Sequence, residues 1–255
     1  MEDNENLFED FEKEVTAKIN DVSESQALLI EEEEYQENQK RRIDEWKKKR
    51  VGKITSSELK NIMDLDRYGK LKKAGVDYLL EVMHQRQTEH DKEDVYAKAF
   101  EWGHKYEEEA LGYYNKVTGN NAVSGTYGDK EILFREPLEG FGDSPDGITE
   151  NNEGVVEIKC PINGANHLRN MALDAYHDKL DYFWQLMGHM VDERVKWCDF
   201  VSYDPRYQDG DPNKIKIIRI KREDVQLRID HLKEKLIYWN NLINKGNINE
   251  ILENA

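Results

Sequence analysis

The sequence predicts an α/β protein in which a central mixed β-sheet is flanked by helices. Three observations predict this class. Amphipathic helical patterns fill the first half of the chain, short apolar runs between Gly, Pro and Asn follow them, and two strongly β-forming segments come after a further helix. This order of helices, three strands, a helix and two strands is typical of a mixed sheet with helices on its faces.

The helices of the first half carry recognisable start and stop signals. The segment GKITSSELKNIM begins a helix, with Thr55 or Ser56 as the N-cap and Glu58 as the partner of Thr55 in a capping box. A second helix is predicted in DYLLEVMHQ, and a third, in VYAKAFEWGHKYEEEALGYYNKVTG, ends at Gly119. Later helices are expected at about 174–192 and 223–244.

Five strands are predicted in the second half of the chain. Three follow the long helix, in EILFREP, GDSPDGITE and VVEIKCP. The Asn and Gly of ENNEG suit a hairpin turn between the last two. The remaining two strands are WCDFVSYD and KIKIIRIKR, both rich in β-branched or aromatic residues.

Composition narrows the class of protein. Of the 255 residues, 38% are hydrophobic and 35% are charged, as in a globular protein with a polar surface. No run approaches the roughly 20 apolar residues that span a bilayer, and the first ten residues lack the features of a signal peptide. We therefore expect a cytoplasmic protein with reduced thiols at Cys160 and Cys198. Two cysteines are too few for a disulfide framework or a four-cysteine cluster.

Charge divides the chain into an acidic N-terminal helical extension, residues 1–40, and one domain, residues 41–255. The extension carries 14 acidic and 3 basic side chains. Its predicted amphipathic helix places four apolar side chains at helical spacing: Phe8, Phe11, Val15 and Ile19.

A basic cluster follows the extension, with seven basic and two acidic side chains in residues 41–53. The chain's net charge of −16 conceals this local field. The cluster is either a solvated helix face or part of a nucleic-acid-binding surface. The acidic extension is either an inert, solubilising arm or a segment that competes with DNA for the cluster.

The strand VVEIKCP places Glu157 and Lys159 among apolar residues. Side chains alternate faces along a strand, so these two point to one face, and Val156 and Ile158 point to the other. Burying an ion is unfavourable unless it is paired or binds a metal. The pair is therefore either an ordinary salt bridge of a surface hairpin or part of an active site. The apolar neighbours favour the active site.

A second carboxylate, Asp146, lies across the predicted hairpin from this strand. Two neighbouring carboxylates repel each other unless a cation lies between them. Mg²⁺ prefers oxygen ligands, and Asp146, Glu157 and the backbone carbonyl of Ile158 would suit it. Lys159 would then orient or help activate a water that attacks a phosphodiester.

Five motifs resemble, in the same order, the lambda-exonuclease/YqaJ family of viral recombination nucleases. This family belongs to the PD-(D/E)XK superfamily, and the resemblance implies its restriction-endonuclease-like core. The motifs lie between residues 46 and 206 and read RVGKITSSE, EWGHKYEEEA, SPDG…EIKCP, YFWQLMGHM and FVSYDPR.

The resemblance implies roles at the proposed metal site. Asp146 and Glu157 would hold metal ions, Lys159 would be the catalytic lysine, and Glu107 would contribute a further metal ligand from the long helix. Glu107 also belongs to a run of three glutamates, and such runs usually face water.

The motif YFWQLMGHM matches a helix that lies against the active site in the family. Gln185 would be a further catalytic residue and Tyr182 would contact DNA. Gln185 could equally be a hydrogen-bonded polar group in an otherwise apolar core.

Arg50 and Ser57 match the family's pocket for the 5′-phosphate of a DNA end, with Ser144 on its rim. A guanidinium binds a phosphate through two parallel hydrogen bonds. Ser57 is also expected in the first turn of a helix, where free N–H groups favour anions.

One position departs from the family pattern. The family has an arginine six residues after the catalytic lysine, where this chain has Ala165. Either Arg169, with His167 as the other candidate, replaces that arginine, or the terminal phosphate is recognised more weakly.

These expectations describe a magnesium-dependent exonuclease on linear double-stranded DNA that digests the 5′-ended strand and leaves a 3′ single strand for annealing. The resemblance further implies two ions, with Mn²⁺ as an alternative to Mg²⁺, a homotrimer, a single-strand annealing protein as partner, and a phage or prophage origin in a bacterial host. The alternatives are an endonuclease of the same superfamily, which would cut closed-circular DNA, and a non-catalytic module that binds DNA ends.

Overall fold

A computed structural model describes residues 33–90, 98–126, 131–173 and 181–254. The chain forms two units, Met1–Glu45 and Trp46–Ala255. In the first unit the described residues are helical. The amphipathic helix predicted around Phe8 to Ile19 lies outside the described residues, and the predicted boundary near residue 40 stays a prediction.

The described elements come mostly in runs of one type: helices first, then five strands, two helices, two strands and two helices. Helix α1 spans 33–50, and a single 3₁₀ turn spans Ser56–Glu58. The other helices are α2 (Leu59–Met63), α3 (Lys73–Thr88), α4 (Lys98–Thr118), α5 (Gly164–Met171), α6 (Phe183–His189), α7 (Arg222–Asn244) and α8 (Ile248–Glu253). The strands are β1 (Ile54–Thr55), β2 (Ala122–Ser124), β3 (Arg135–Leu138), β4 (Phe141–Asp143), β5 (Gly147–Thr149), β6 (Gly154–Lys159), β7 (Trp197–Tyr203) and β8 (Ile215–Lys221).

These strands form two sheets. The larger has five strands in the order β2-β5-β6-β7-β8, and the smaller has three in the order β1-β4-β3. Strands β6 and β7 are parallel, whereas the other neighbours in the larger sheet are antiparallel. The predicted mixed sheet is confirmed.

Helix α4 covers one face of the larger sheet. Its side chains Ala110, Leu111 and Tyr114 are buried in a cluster with Val156 and Ile158 of β6. Removing such side chains from water stabilises the fold by about 1.5–3 kcal/mol for each fully buried Val or Ile. The apolar face of β6 is therefore the face that anchors α4.

Helices α2, α3, α6 and α7 cover the opposite face, where Val155 and Phe200 of the sheet pack with Leu186 of α6. Helix α6 lies close to the 3₁₀ turn because Gly188 has no side chain. A Cβ there would lie 2.6 Å from a methyl of Leu59 and 3.0 Å from Cβ of Ser56. Glu157 and Lys159 belong to this second face, so the packing of α6 brings further side chains to them.

The segment GDSPDGITE is not one strand, as predicted, but two short strands in different sheets. Strand β4 ends at Asp143 and β5 begins at Gly147. Pro145 between them has no N–H to donate to a ladder, which ends the pairing. The break places Asp146 just before β5.

Several predicted boundaries differ from the structure. The capping box is wrong: Thr55 makes no side-chain cap hydrogen bond, and Glu58 accepts instead from Asn61 at 2.6 Å. Strand β2 was not expected. In the described part of the predicted helix 174–192, only Phe183–His189 is helical. Gly119, with a φ of 72°, does end α4 as predicted. No helix among the described residues is long and apolar enough to cross a bilayer.

Candidate active site

Strand β6 presents Glu157 and Lys159 side by side, with their charged groups in contact. The Glu157 side chain is 1% exposed, and that of Lys159 is 26% exposed. Val156 and Ile158 point into the apolar cluster under α4. The alternation predicted from the sequence is therefore present, and it buries a carboxylate on the polar side of the strand.

Asp146 lies beside this pair. Gly147 is paired with Val156 across the β5–β6 ladder, so Asp146 lies at the level of Glu157. Its Oδ2 accepts a hydrogen bond from the backbone N–H of Ile158 at 2.7 Å. Burial raises the pKa of Asp146 well above its usual range, and the negative charges of Glu107 and Glu157 raise it further.

Glu107 approaches the same site from α4. Its Oε1 accepts from the hydroxyl of Thr126 at 2.5 Å. Burial raises the pKa of Glu107 to about 7, and the charge of Glu157 contributes in the same direction. Its neighbours in the run, Glu108 and Glu109, are exposed. Glu107 is therefore the member of the run that faces the site.

Glu157 differs from these two carboxylates because donors surround it. Lys159 and Gln185 both donate to Oε1, the latter at 2.6 Å, and His189 contacts Oε2 at 2.8 Å. Burial by itself raises the pKa of Glu157, but Lys159 and His189 outweigh it, so the pKa is lowered. Burial likewise opposes the charge of Lys159, yet Glu157 and Asp146 raise its pKa above the usual value.

The donor set has the chemistry of a divalent-cation site. The negative charge of Glu157 raises the pKa of both Glu107 and Asp146, and a cation would relieve that repulsion. In the described part of the chain, no group of three His, Cys, Asp or Glu side chains is arranged to hold an ion as it stands. The ammonium of Lys159 contacts Oε1 of Glu157.

His189 is the one member of this cluster that was not predicted to have a role. It is fully buried, and its Nδ1 contacts Oδ1 of Asp143 at 2.6 Å. Burial lowers its pKa, but Asp143 and Glu157 outweigh that and raise it to about 10. A sequence signal existed: His189 follows Gln185 by four residues on one helix, so both lie on the same face.

The predicted phosphate-binding residues lie together. The Arg50 guanidinium is 3.3 Å from the Ser57 hydroxyl and lies over the Trp46 ring at 4.3 Å. The Trp46 indole N–H donates to the Ser144 hydroxyl at 2.9 Å. Trp46 therefore connects Arg50 to Ser144.

A cavity of about 370 Å³ lies between Ser57 and Lys159, and Lys159 in turn contacts Glu157. Ser57 lines one side, and Lys159, Tyr182 and Gln185 line another. The Lys159 ammonium is 5.1 Å from the centre of the Tyr182 ring, which stacks on Phe200. The cavity thus joins the phosphate-binding residues to the predicted catalytic lysine.

The structure separates the two candidates for the missing arginine. His167 is fully buried, and its ring nitrogens contact the Ser202 hydroxyl at 2.9 Å and the Asn213 carbonyl at 2.6 Å. It is not available to a phosphate. Arg169 is exposed on α5 and donates to Asn166. This contact does not join Arg169 to Arg50 or Ser57, so its role stays a prediction.

A comparison with models of known protein families identifies the family to which this chain belongs. The model of the YqaJ-like viral recombinase domain matches residues 45–191. The chain belongs to this family. The match covers more than half of the chain and includes each of the residues predicted for the site. The family implies DNA as the substrate. A comparison with curated protein sequences found no match to the chain.

Solved structures agree with membership of the YqaJ-like family. An alkaline exonuclease from Laribacter hongkongensis, LHK-Exo, is 27% identical with a TM-score of 0.65, and the match covers 82% of this chain and 96% of that one. LHK-Exo in complex with dAMP matches at 26% identity with the same TM-score, covering 82% and 95%. A phage-related exonuclease from Haemophilus somnus 129PT, at 17% identity and a TM-score of 0.55 over 76% and 96%, shares the fold. These are structures of the PD-(D/E)XK type, as the sequence predicted.

Proposed function

We propose that this YqaJ-like protein is a magnesium-dependent exonuclease on linear double-stranded DNA. It digests the 5′-ended strand and leaves a 3′ single strand for recombination by annealing. The observation that supports this most directly is the convergence of Glu107, Asp146, Glu157 and Lys159 beside a cavity that also reaches Ser57. Similarity to LHK-Exo, an alkaline exonuclease, supports the same activity.

The carboxylates would hold Mg²⁺, with Mn²⁺ as a substitute and two ions in all. Bound metal supplies a nucleophilic water at neutral pH and neutralises charge on the phosphate. Lys159 contributes a positive charge, because its raised pKa keeps it protonated. It is thus suited to orienting water and stabilising the developing negative charge rather than to accepting a proton. Gln185 donates a hydrogen bond to Glu157 and so helps to hold its carboxylate in place.

Recognition of the DNA end belongs to the pocket that contains Arg50 and Ser57. The guanidinium and the hydroxyl are donors suited to a terminal 5′-phosphate. Ser144 borders the pocket through Trp46, and Tyr182 offers an aromatic face in the cavity. The dAMP complex of LHK-Exo supports a nucleotide-binding site in this fold.

The assembly and the cellular setting rest on the family. A homotrimer around DNA, a single-strand annealing protein as partner, and action in the cytoplasm of a bacterial host as a phage or prophage product are consistent with a viral recombinase domain.

One assay tests the proposed activity. Linear duplexes labelled on one strand end, and closed-circular duplexes, are incubated with the protein with and without Mg²⁺. Loss of label from 5′ ends of linear DNA, only with Mg²⁺, is the expected result. Cutting of circular DNA would show an endonuclease instead, and binding to ends without cleavage would show a non-catalytic module.

A further inference from the structure

His189 forms a buried bridge between two carboxylates. One ring nitrogen contacts Glu157 at 2.8 Å and the other contacts Asp143 at 2.6 Å. All three side chains are at most 1% exposed. An ionised carboxylate only accepts hydrogen bonds, so each ring nitrogen donates.

Asp143 also accepts hydrogen bonds from Arg135. Arg135 donates to its Oδ2 through Nε at 3.0 Å and also through Nη2. The same guanidinium donates to the His189 carbonyl at 3.3 Å and reaches Asp192 at 3.5 Å. Positive and negative groups therefore alternate from Glu157 to Asp192, and every member has a partner.

The two oxygens of Glu157 are held in different ways. Oε2 meets His189, which has no exposed surface and is fixed on its far side by Asp143. Oε1 meets Lys159 and Gln185, which line an open cavity. The donors on Oε1 can move toward solvent when a cation arrives, whereas His189 cannot leave Oε2 without breaking two buried ion pairs.

We propose that His189 is a positioning residue that holds Oε2 of Glu157 so that Oε1 is the atom presented to a divalent metal. The inference rests on the proposed metal-dependent function and extends it to a residue that touches neither metal nor DNA. Partners that orient a ligating carboxylate typically change metal affinity by about 10- to 100-fold when they are removed.

The test measures Mn²⁺ binding to the full-length protein by calorimetry, without DNA. His189→Phe keeps a ring but removes both donors, and we expect it to weaken the tightest Mn²⁺ binding by at least about 10-fold. His189→Gln retains one donor for Glu157, and we expect it to restore affinity to within about threefold of wild type. His167→Phe is the matched control, because His167 is equally buried and doubly hydrogen-bonded but contacts Ser202 and Asn213. It should bind Mn²⁺ like wild type.

A second measurement needs no substitution. In wild-type protein labelled with ¹⁵N-histidine, both ring N–H groups of His189 should be observed, and both should persist when Mg²⁺ is added. Loss of the Nε2 hydrogen bond on Mg²⁺ addition would overturn the inference, as would wild-type Mn²⁺ affinity in folded His189→Phe.

Failure of the inference is distinguishable from failure of the proposed function. Glu157→Gln should itself abolish the tightest Mn²⁺ binding. If it does so while His189→Phe binds normally, the metal site stands and the role of His189 is wrong. If Glu157→Gln binds Mn²⁺ like wild type, the metal assignment and the inference are both wrong.

Discussion

Glu157 and Glu107 belong to one site, yet their pKa values move in opposite directions. Burial raises both, but Glu157 is in contact with Lys159 and His189, whereas Glu107 accepts a hydrogen bond from the neutral Thr126 hydroxyl. The comparison teaches that depth of burial does not set the charge of these carboxylates. The sign of the nearest partner does.

This difference in pKa also divides the site into a side that has cationic partners and a side that does not. The Glu157 side is electrostatically complete before any ion arrives, because cationic side chains neutralise it. The side formed by Glu107 and Asp146 is not, because the charge of Glu157 raises the pKa of both and the charge of Glu107 also raises that of Asp146. A divalent cation bound there would relieve this repulsion.

The largest expected effect is on cleavage. Asp146→Ala, Glu157→Ala and Lys159→Ala should each lower the rate of duplex digestion by at least about 10²-fold, because each removes a charge that acts on metal or phosphate. Glu107→Ala should behave in the same way, whereas its exposed neighbour Glu108→Ala should digest DNA at the wild-type rate. Initial rates on end-labelled linear DNA measure this. Equal losses of digestion rate in Glu107→Ala and Glu108→Ala would contradict the assignment of Glu107, rather than Glu108, to the site.

The second largest expected effect is on the free energy of unfolding, which should respond differently to substitutions at Glu157 and at Asp146. Glu157→Gln removes the buried negative charge that both Lys159 and His189 contact, and it should lower the free energy of unfolding by about 3 kcal/mol. Asp146→Asn keeps an acceptor for the Ile158 N–H and removes a repelling charge. It should leave stability unchanged within about 1 kcal/mol or raise it.

Urea unfolding in the presence of a chelator measures both changes. The chelator removes bound ions, so that only the protein's own charges contribute. A similar loss of stability in both variants would contradict the division of the site.

The pH dependence of stability sharpens the same comparison. The pKa of Glu107 is 4.5 normally and about 7 here, so the folded protein binds more protons than the unfolded chain between those values. Without metal, stability should therefore fall as pH rises from about 4.5 to about 7. Glu107→Gln removes this contribution to stability, which amounts to about 3 kcal/mol.

Unfolding midpoints of wild type, Glu107→Gln and Glu108→Gln across that pH range provide the check. The control Glu108→Gln should follow the wild-type curve. A wild-type slope that persists in Glu107→Gln would assign the proton uptake to another group.

The smallest expected effect concerns the DNA end. Arg50→Ala should lower digestion of 5′-phosphorylated duplexes by about 10-fold or more and change 5′-hydroxyl duplexes less, because a hydrogen bond to a charged group contributes about 1.5–3 kcal/mol. Arg169→Ala is the comparison, since Arg169 is exposed on α5 and contacts Asn166. We expect it to digest both substrates like wild type. Rates on matched phosphorylated and hydroxyl-ended DNA decide, and a phosphate-specific loss in Arg169→Ala would make it the substitute for the missing arginine.

Sequence patterns were informative where one element determines the answer. The period of two along β6 was enough to predict that Glu157 and Lys159 share a face, and the hairpin was enough to bring Asp146 beside them. These are consequences of local geometry and of a short turn. Glu107, Arg50 and Ser57 were instead predicted from the resemblance to a family, and the structure brings Glu107 near Glu157 and Arg50 near Ser57.

Tertiary structure alone decided how the site is charged. His189 meets Glu157 across 32 residues of sequence, and it does so only because α6 packs on the face of the sheet that carries Glu157. The packing of α5 on β7 and β8 buries His167 away from any phosphate and leaves Arg169 in solvent. Sequence periodicity specifies which face of a strand or helix a side chain occupies. The partners on that face, and therefore the ionisation of Glu107, Asp146 and Glu157, depend on which elements pack together and how much water they exclude.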